Sequence, residues 1–140
     1  MTFIFITDLD GTLLGQHDFD FGVIKSHVEG LLEVGHLLIL ASSKTKVEIE
    51  SFCDEFGRDV PFIYENGAGV ENFRLFGECE ALPQSYQNPK AIRTDMLLEV
   101  WERYIPPGLR SWCHFLKDMD LSAQQACLGL GATALDRAMK

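Results

Sequence analysis

Two aspartates near the start of the chain, Asp8 and Asp10, have the spacing of a pair of catalytic carboxylates. They follow a short apolar run, residues 3–7, and Gly11 directly after them allows a sharp turn. One carboxylate could attack phosphorus as a nucleophile while the other donates a proton to the leaving oxygen. Grouped carboxylate oxygens also suit Mg²⁺ as ligands. The alternative is that Asp-Leu-Asp-Gly is simply a turn, since Asp and Gly are common turn residues.

A second polar cluster, Ser42, Ser43 and Lys44, follows another apolar run, residues 36–41. A hydroxyl group beside the amino end of a helix is a ready phosphate site, because free backbone N–H groups point outward there. Lys44 adds one local positive charge that could contact a substrate. The alternatives are that the serines are ordinary helix-start residues and that Lys44 is a solvated lysine.

The elements that must position these residues alternate between strands and helices. Thr45 and Glu48 form an S/T-x-x-E capping box at the start of one helix, which ends at Gly57. The β-α-β-α-β order predicts an α/β fold with a Rossmann-like parallel sheet and right-handed crossovers. We expect the first two strands to be covered on both faces, because their apolar runs are continuous. The predicted strands are residues 3–7, 36–41 and 61–65, and the other helix is residues 23–34.

Beyond Asn66 and Gly67 the pattern changes, and residues 83–89 read as a polar linker. We therefore predict two domains, an amino-terminal core over residues 1–82 and a partial α+β cap over residues 83–140. In the remaining segments the spacing predicts a short strand or hairpin arm over 69–76, a helix over 94–104, a strand over 111–116, a helix capped by Ser122 with Gln125, and a helix after Gly131.

The composition excludes several classes of protein. Hydrophobic residues make up 46% and charged residues 24% of the 140 residues, which is ordinary for a globular domain. A net charge of −9 argues against a nucleic-acid partner, which needs clustered Lys and Arg. No apolar stretch approaches the ~20 residues that span a bilayer, so no membrane partner is expected. The four scattered cysteines have no zinc-ligand spacing and favour a reducing cytoplasm.

The string of residues 3–14, an apolar strand followed by Asp-Leu-Asp-Gly-Thr-Leu-Leu, resembles motif I of the haloacid dehalogenase superfamily of phosphatases. The resemblance implies that Asp8 forms a phosphoaspartyl intermediate and that Asp10 is the general acid and base. It also implies that the Asp8 side chain and the Asp10 backbone carbonyl bind Mg²⁺. Ser42 matches the family's motif II, whose hydroxyl binds the transferred phosphoryl group, and Ser43 is the second choice for that role.

Residues 41–48 together with residues 61–68 resemble the mannosyl-3-phosphoglycerate phosphatase group of that superfamily. This resemblance implies hydrolysis of a small phosphorylated sugar-acid conjugate, with mannosyl-3-phosphoglycerate as the leading substrate. Lys44 would contact that substrate, and Asn66 and Gly67 would lie at the edge of the pocket. The alternative for Asn66-Gly67 is a bare hairpin turn.

The resemblance covers about residues 1–75, and nothing in residues 85–140 matches the family's motif III lysine or its motif IV acidic pair. We therefore expect a chain truncated within the cap, with poor turnover and self-association through an exposed sheet edge. A catalytically inactive homologue that binds a sugar phosphate or a partner is the alternative. A phospho-acceptor signalling domain is disfavoured, because it would need an aspartate where Glu65 and Asn66 follow the third strand.

Overall fold

A computed structural model describes residues 1–15, 20–76 and 83–139 of the chain. The chain divides into two compact units, residues 1–89 and residues 90–140.

The first unit is built on a five-stranded sheet with the strand order β1-β2-β3-β4-β5. The pairs β1–β2 and β2–β3 are parallel, and Ile4 lies opposite Leu37 in the first of them. The pairs β3–β4 and β4–β5 are antiparallel. The predicted α/β fold with a parallel three-stranded half is therefore confirmed, and an antiparallel ribbon extends it. The strands are β1 (Ile4–Thr7), β2 (Leu37–Ala41), β3 (Phe62–Tyr64), β4 (Gly69–Glu71) and β5 (Ser85–Gln87).

Two helices provide the crossovers between the parallel strands. Helix α1 (Gly22–Glu33) connects β1 to β2, and helix α2 (Lys46–Phe56) connects β2 to β3. The predicted capping box of α2 is confirmed, since the Thr45 hydroxyl accepts a hydrogen bond from the Glu48 N–H and Glu48 accepts one from the Thr45 N–H. Short 3₁₀ turns cover Glu65–Gly67 and Phe73–Phe76.

The core of this unit lies between the two helices and strands β2 and β3. Leu40, Ile49 and Phe62 are almost completely buried there. The ring of Phe21 packs edge-on against those of Phe52 and Phe56, with centroids 5.0 and 5.1 Å apart. Because apolar side chains from two strands, two helices and a loop pack together here, burial holds the crossovers against the sheet and fixes the ends of β2 and β3.

An ion pair joins helix α2 to strand β4. The Lys46 ammonium lies 2.7 Å from a carboxylate oxygen of Glu71, and Glu50 lies 3.7 Å away on the same helix. The hydrogen bond to Glu71 raises the pKa of Lys46, and the burial of the lysine partly opposes that rise. This contact ties the antiparallel ribbon to the helix that begins beside the candidate site.

Strand β1 is not covered on both faces, contrary to the prediction from its apolar run. It lies at one edge of the described sheet, and Ile4 and Ile6 are 59% and 66% exposed. Strand β2, beside it, is mostly buried as expected. A continuous apolar run is common to covered strands and to edge strands that lack a neighbour, so the sequence pattern alone could not separate them.

Residues 83–89, predicted as a polar linker, contain β5 and belong to the first unit. The predicted division into a core and a cap domain stays a prediction, and its boundary touches residues 77–82, which lie outside the described part of the chain.

In the second unit, the described residues 90–139 form helices and a short 3₁₀ turn that are joined by loops. The strand predicted over 111–116 is wrong, because this segment has no strand and leads into a 3₁₀ turn, Leu116–Asp118. The capping box predicted at Ser122 and Gln125 is also wrong. The helix that begins at Leu121 is capped by Asp120, whose carboxylate accepts the N–H of Ala123 at 2.9 Å. The helices are α3 (Thr94–Tyr104), α4 (Pro107–Arg110), α5 (Leu121–Leu128) and α6 (Ala132–Ala138).

No helix in the described ranges combines the length and the apolar character that crossing a bilayer requires.

Candidate functional site

The loop after β1 holds Asp8 and Asp10 on either side of a buried leucine. Leu9 is fully buried, and its carbonyl accepts the N–H groups of Thr12 at 3.2 Å and Leu14 at 2.8 Å. Gly11 has φ +69°, the left-handed conformation that a residue without Cβ adopts at low cost. Because Leu9 anchors the loop, the two carboxylates next to it stay at the surface. The segment is a tight turn, and it also presents two acids.

The Asp8 carboxylate is oriented by its own loop. Its Oδ1 atom accepts the N–H of Leu9 at 2.8 Å. A hydrogen bond from a backbone N–H restricts the rotation of a carboxylate. One oxygen of Asp8 is thus engaged by its own loop.

Ser42, at the end of β2, is fixed by three hydrogen bonds. Its N–H donates to the Ile63 carbonyl at 3.0 Å, and its carbonyl accepts the N–H of Asn66 at 3.1 Å. Its hydroxyl oxygen accepts the N–H of Lys44 at 3.3 Å. Ser42 is a buried polar residue, whereas Ser43 next to it is exposed. These bonds set the position of the Ser42 hydroxyl relative to the loops that follow β2 and β3.

The loop between β3 and β4 has three successive residues in the left-handed region. Glu65, Asn66 and Gly67 have φ values of +47°, +55° and +97°. The N–H of Glu65 donates to the carbonyl of Lys44 at 2.9 Å, so this loop is bound to the loop after β2. Left-handed backbone at residues other than glycine is strained and persists where surrounding contacts enforce it. Asn66-Gly67 is thus part of a hairpin turn, which was one of the two alternatives. The N–H of Asn66 also donates a hydrogen bond to the carbonyl of Ser42.

The three loops meet in one cleft at the carboxyl ends of β1, β2 and β3. The volume of the cleft, about 440 Å³, lies within the range of small-molecule sites. None of the described residues that line it carries a basic side chain. Five of the seven predicted site residues are brought together here, and the lining consists of Asp8, Ala41, Ser42, Ser43, Ile63, Asn66 and Gly67.

The other two predicted site residues, Asp10 and Lys44, form an ion pair with each other. The Lys44 Nζ atom lies 3.1 Å from Asp10 Oδ1 and 3.7 Å from Glu48 Oε1. The Lys44 side chain is only 20% exposed and that of Asp10 is 40% exposed. Lys44 is therefore neither a freely solvated lysine nor one of the lining residues of the cleft. It restrains the carboxylate predicted to act as the general acid.

Two residues that support the site were not predicted to do so. Glu48 accepts hydrogen bonds from the N–H and hydroxyl of Thr45 and also approaches Lys44, so it braces the ion pair from helix α2. The capping motif and the i,i+4 spacing to Lys44 were a visible signal for this contact. Asn88, in the presumed linker, donates its side-chain amide to the Gly67 carbonyl at 3.2 Å. Nothing in the local pattern indicated that contact.

The same capping box limits the anion site expected at the start of α2. The helix begins at Lys46, and the N–H groups of Thr45 and Glu48 are already occupied by capping bonds. Fewer free N–H donors remain than the sequence pattern suggested. A phosphate in the cleft would depend more on the hydroxyls of Ser42 and Ser43 and on the amide of Asn66.

The oxygen atoms near Asp8 would fit Mg²⁺ only if a substrate phosphate supplied some of the ligands. Within the ranges the structure describes, no group of three or more His, Cys, Asp or Glu side chains could enclose a metal ion. Mg²⁺ usually keeps several waters and takes one or two carboxylates together with substrate phosphate oxygens. The hard oxygens of Asp8 and Asp10 fit that arrangement, in which the phosphate completes the coordination.

The comparisons with known proteins define the family. Residues 5–88 match the sequence model of haloacid dehalogenase-like hydrolases, and this is more than half of the chain. The chain belongs to that family.

Two curated relatives are similar to a part of the chain. A glucosyl-3-phosphoglycerate/mannosyl-3-phosphoglycerate phosphatase of Persephonella marina is 43% identical over 67 residues, which are 48% of this chain and 25% of that protein. A phosphatase of the same description from Methanococcoides burtonii is 37% identical over 70 residues, which are 50% of this chain and 26% of the relative. The matched part thus spans about a quarter of the length of these relatives.

A solved structure supports the fold independently. A haloacid dehalogenase-like hydrolase from B. subtilis superposes with a TM-score of 0.56 and 14% sequence identity, covering 99% of this chain and 52% of that one. At this identity the likeness concerns the fold alone, and it agrees with the α/β architecture predicted from the sequence. The chemical roles of the individual site residues remain predictions.

Proposed function

We propose that the cleft is the phosphoryl-transfer site of a phosphatase that acts on a glycosyl-3-phosphoglycerate, with mannosyl-3-phosphoglycerate as its substrate. The observation that carries the proposal is the meeting of Asp8, Ser42 and Asn66 in one cleft where three adjacent strands end. Ligands bind at this edge of open α/β sheets. The names of the two curated relatives supply the substrate class.

The proposed reaction has two steps. The free carboxylate oxygen of Asp8 attacks phosphorus, the bond from phosphorus to the glycerate oxygen breaks, and Asp10 gives its proton to that oxygen. The product is a phosphoaspartyl group on Asp8. A water molecule then loses a proton to Asp10 and attacks the phosphorus, which releases phosphate, returns Asp8 to a carboxylate and returns Asp10 to its protonated form. Because the N–H of Leu9 engages Oδ1, we assign the attack to the second oxygen of Asp8.

The remaining site residues bind and orient. The hydroxyls of Ser42 and Ser43 hold the phosphoryl oxygens, and Asn66 with the backbone of Gly67 bounds the sugar-acid end of the cleft. Lys44 was predicted to contact the substrate, and we propose that it acts chiefly on Asp10, whose carboxylate it holds through the 3.1 Å ion pair after Asp10 has given its proton to the leaving oxygen and before it takes one from water. A carboxyl group held in place transfers a proton faster than a mobile one, because the rate depends on the placement of the reacting atoms.

Mg²⁺, held by the Asp8 carboxylate and the Asp10 backbone carbonyl, would supply positive charge to the phosphoryl oxygens when bound. The chain itself supplies little, because no described lining residue is basic and the net charge is −9. Phosphoryl transfer relies mainly on such charge stabilisation and on positioning. We therefore expect slow turnover by these 140 residues.

A reducing cytoplasm fits the thiols of the chain. Cys53, Cys113 and Cys127 are free, while Cys79 lies outside the described residues. Burial raises the pKa of the Cys53 thiol, so that this side chain stays neutral in the core and unreactive at physiological pH. We propose that the protein acts there on a small phosphorylated sugar derivative.

A second candidate function is a non-catalytic one, in which the cleft binds a sugar phosphate without hydrolysing it. The observation that favours it is the lack of a basic side chain among the described lining residues, together with the engagement of Lys44 by two carboxylates. Positioned hydroxyl and amide groups can bind a phosphate, but they do not neutralise its charge in a transition state.

The test is Mg²⁺-dependent phosphate release from mannosyl-3-phosphoglycerate by the chain, its Asp8→Asn variant and an Asp59→Asn control. Asp59 is an exposed aspartate that does not line the cleft. We expect slow release that falls to background in Asp8→Asn and persists in Asp59→Asn. Equal release by both variants would contradict the role of Asp8. No release from the folded chain would favour the binding function.

A further inference from the structure

Asn88, the residue after β5, binds the turn between β3 and β4 with two donor groups. Its backbone N–H donates to the carbonyl of Ala68 at 2.8 Å, and its side-chain amide donates to the carbonyl of Gly67 at 3.2 Å. Two successive carbonyls of the turn thus accept hydrogen bonds from one residue. Asn88 is half-buried, and a hydrogen bond that is partly shielded from water is stronger than an exposed one.

This turn needs restraint because its backbone is strained. Residues 65–67 have φ values between +47° and +97°, and left-handed backbone at residues other than glycine persists where its surroundings enforce it. On the side of β2, the N–H groups of Glu65 and Asn66 donate to carbonyls of the loop after that strand. On the side of β5, Asn88 supplies hydrogen bonds. The turn is therefore held from two sides.

The peptide unit between Gly67 and Ala68 is fixed at both of its ends. Its carbonyl accepts from the side chain of Asn88, and its N–H donates to the carbonyl of Tyr64 at 3.1 Å. Gly67 lines the cleft, and so does Asn66 before it. Loss of the Asn88 amide would remove one of these restraints, so this wall of the cleft would become more mobile.

We propose that Asn88 is a positioning residue for the end of the cleft that takes the sugar-acid part of the substrate. The inference rests on the proposed function, in which Asn66 and Gly67 bound that end and two serines hold the phosphoryl group. Ser42 is anchored separately, because its N–H donates to the carbonyl of Ile63 at 3.0 Å. Asn88 therefore supports binding of the glycosylglycerate part and not of the phosphate.

The first test is amide hydrogen exchange, followed residue by residue by NMR, in the unaltered chain, two Asn88 variants and a control. Asn88→Asp keeps the shape of the side chain, but a carboxylate can only accept hydrogen bonds, so the bond to Gly67 is lost. Asn88→Ala removes the same bond without adding a charge. The control is Gln84→Ala, which removes a bond elsewhere in the ribbon, since the Gln84 amide donates to Asn72 at 3.0 Å.

We expect the N–H groups of Asn66 and Ala68 to exchange roughly 2- to 10-fold faster in both Asn88 variants, the range that one hydrogen bond implies. The N–H of Leu40, which bonds β2 to the chain entering β3, reports opening of the sheet and should exchange at an unchanged rate. Gln84→Ala should leave all three rates unchanged. Unchanged rates in the Asn88 variants, or an equal rise at Leu40, would overturn the proposal.

The second test is NMR titration with mannosyl-3-phosphoglycerate and, separately, with inorganic phosphate, with Mg²⁺ present in both. We expect the Asn88 variants to bind mannosyl-3-phosphoglycerate roughly 2- to 10-fold more weakly and phosphate with unchanged affinity. Equal effects on the two ligands, or none on either, would contradict a role at the sugar-acid end. If the unaltered chain binds neither ligand, the proposed function fails, and the exchange rates alone decide whether Asn88 holds the turn.

Discussion

At the scale of single residues, the candidate site depends on backbone conformations that its side chains do not favour. Asn and Gly adopt the left-handed region readily, but Glu65 does so at a cost of about 1–2 kcal/mol. Its φ of +47° is enforced by the hydrogen bond from its N–H to Lys44. This conformation places the next residue, Asn66, in contact with Ser42. The strained backbone at Glu65 therefore helps to bring together two residues that line the cleft.

Replacing Glu65 by glycine should therefore stabilise the protein. Glycine removes the left-handed penalty but adds chain entropy to the unfolded state, which leaves a net gain of about 0.5–1 kcal/mol in the free energy of unfolding. The same change at Glu55, in helix α2, should lower that free energy by about 0.5–1 kcal/mol. Urea unfolding of the two variants measures both effects. A similar loss in both would mean that Glu65 is not strained.

The residue scale also shows how far the site could be predicted. The Asp-x-Asp-Gly spacing indicated Asp8, and the polar residues after the second apolar run indicated Ser42. Asn66 was expected at the site only from the resemblance to the phosphatase group. All three residues line one cleft. The pairing of Lys44 with Asp10 was not predictable, because the two residues are brought together only when β1 and β2 lie side by side. Residue spacing in the sequence predicts the geometry of a single loop, whereas an ion pair between two loops depends on tertiary packing.

At the scale of elements, the β3–β4 hairpin is constrained by a close contact between its two strands. Tyr64 pairs with Gly69 across the two strands, and the ring of Tyr64 occupies the space where a side chain at position 69 would lie. The close approach explains a glycine in the middle of an antiparallel pair, where it otherwise weakens a strand. The contact also sets the register that places Gly67 at the cleft.

A methyl group at Gly69 should disrupt this hairpin. We expect Gly69→Ala to lower the free energy of unfolding by about 1–3 kcal/mol, because the added carbon collides with Tyr64. Gly30→Ala is the matched control, since no atom lies within 4 Å of a Cβ added there and alanine favours helix α1 by about 0.5–1 kcal/mol. Thermal unfolding of the two variants should show shifts of opposite sign. Equal melting temperatures would contradict the close contact.

The elements themselves were predicted unevenly. The β-α-β-α-β half follows from apolar periodicity and from the Thr45 cap, and the structure has each of these elements. Strand β5 was missed because Ser85–Gln87 has no apolar alternation and is held by pairing with β4 alone. The cap of α5 was misassigned because Asp120 and Ser122 both precede a plausible helix start, and only the observed hydrogen bond to Ala123 distinguishes them.

At the scale of the whole molecule, the chain belongs to the haloacid dehalogenase-like hydrolases, and the part matched to its curated relatives is about a quarter of their length. Two consequences follow from its first unit. The cleft has an oriented carboxylate and hydroxyls but no basic lining residue among those described, and the edge strand β1 exposes apolar surface. We propose that this cleft is a slow phosphoryl-transfer site.

The most direct test of the central claim is a single-turnover trapping experiment. The chain is mixed with Mg²⁺ and mannosyl-3-phosphoglycerate that carries a radiolabelled phosphoryl group, then quenched in acid, and the label retained on the protein is counted. One turnover suffices, so slow catalysis does not obscure the result. We predict a label that hydroxylamine removes, as for an acyl phosphate, that is absent in Asp8→Asn and present in Asp59→Asn. A label that survives in Asp8→Asn, or no label on the folded chain, would contradict the assignment of Asp8 as the nucleophile.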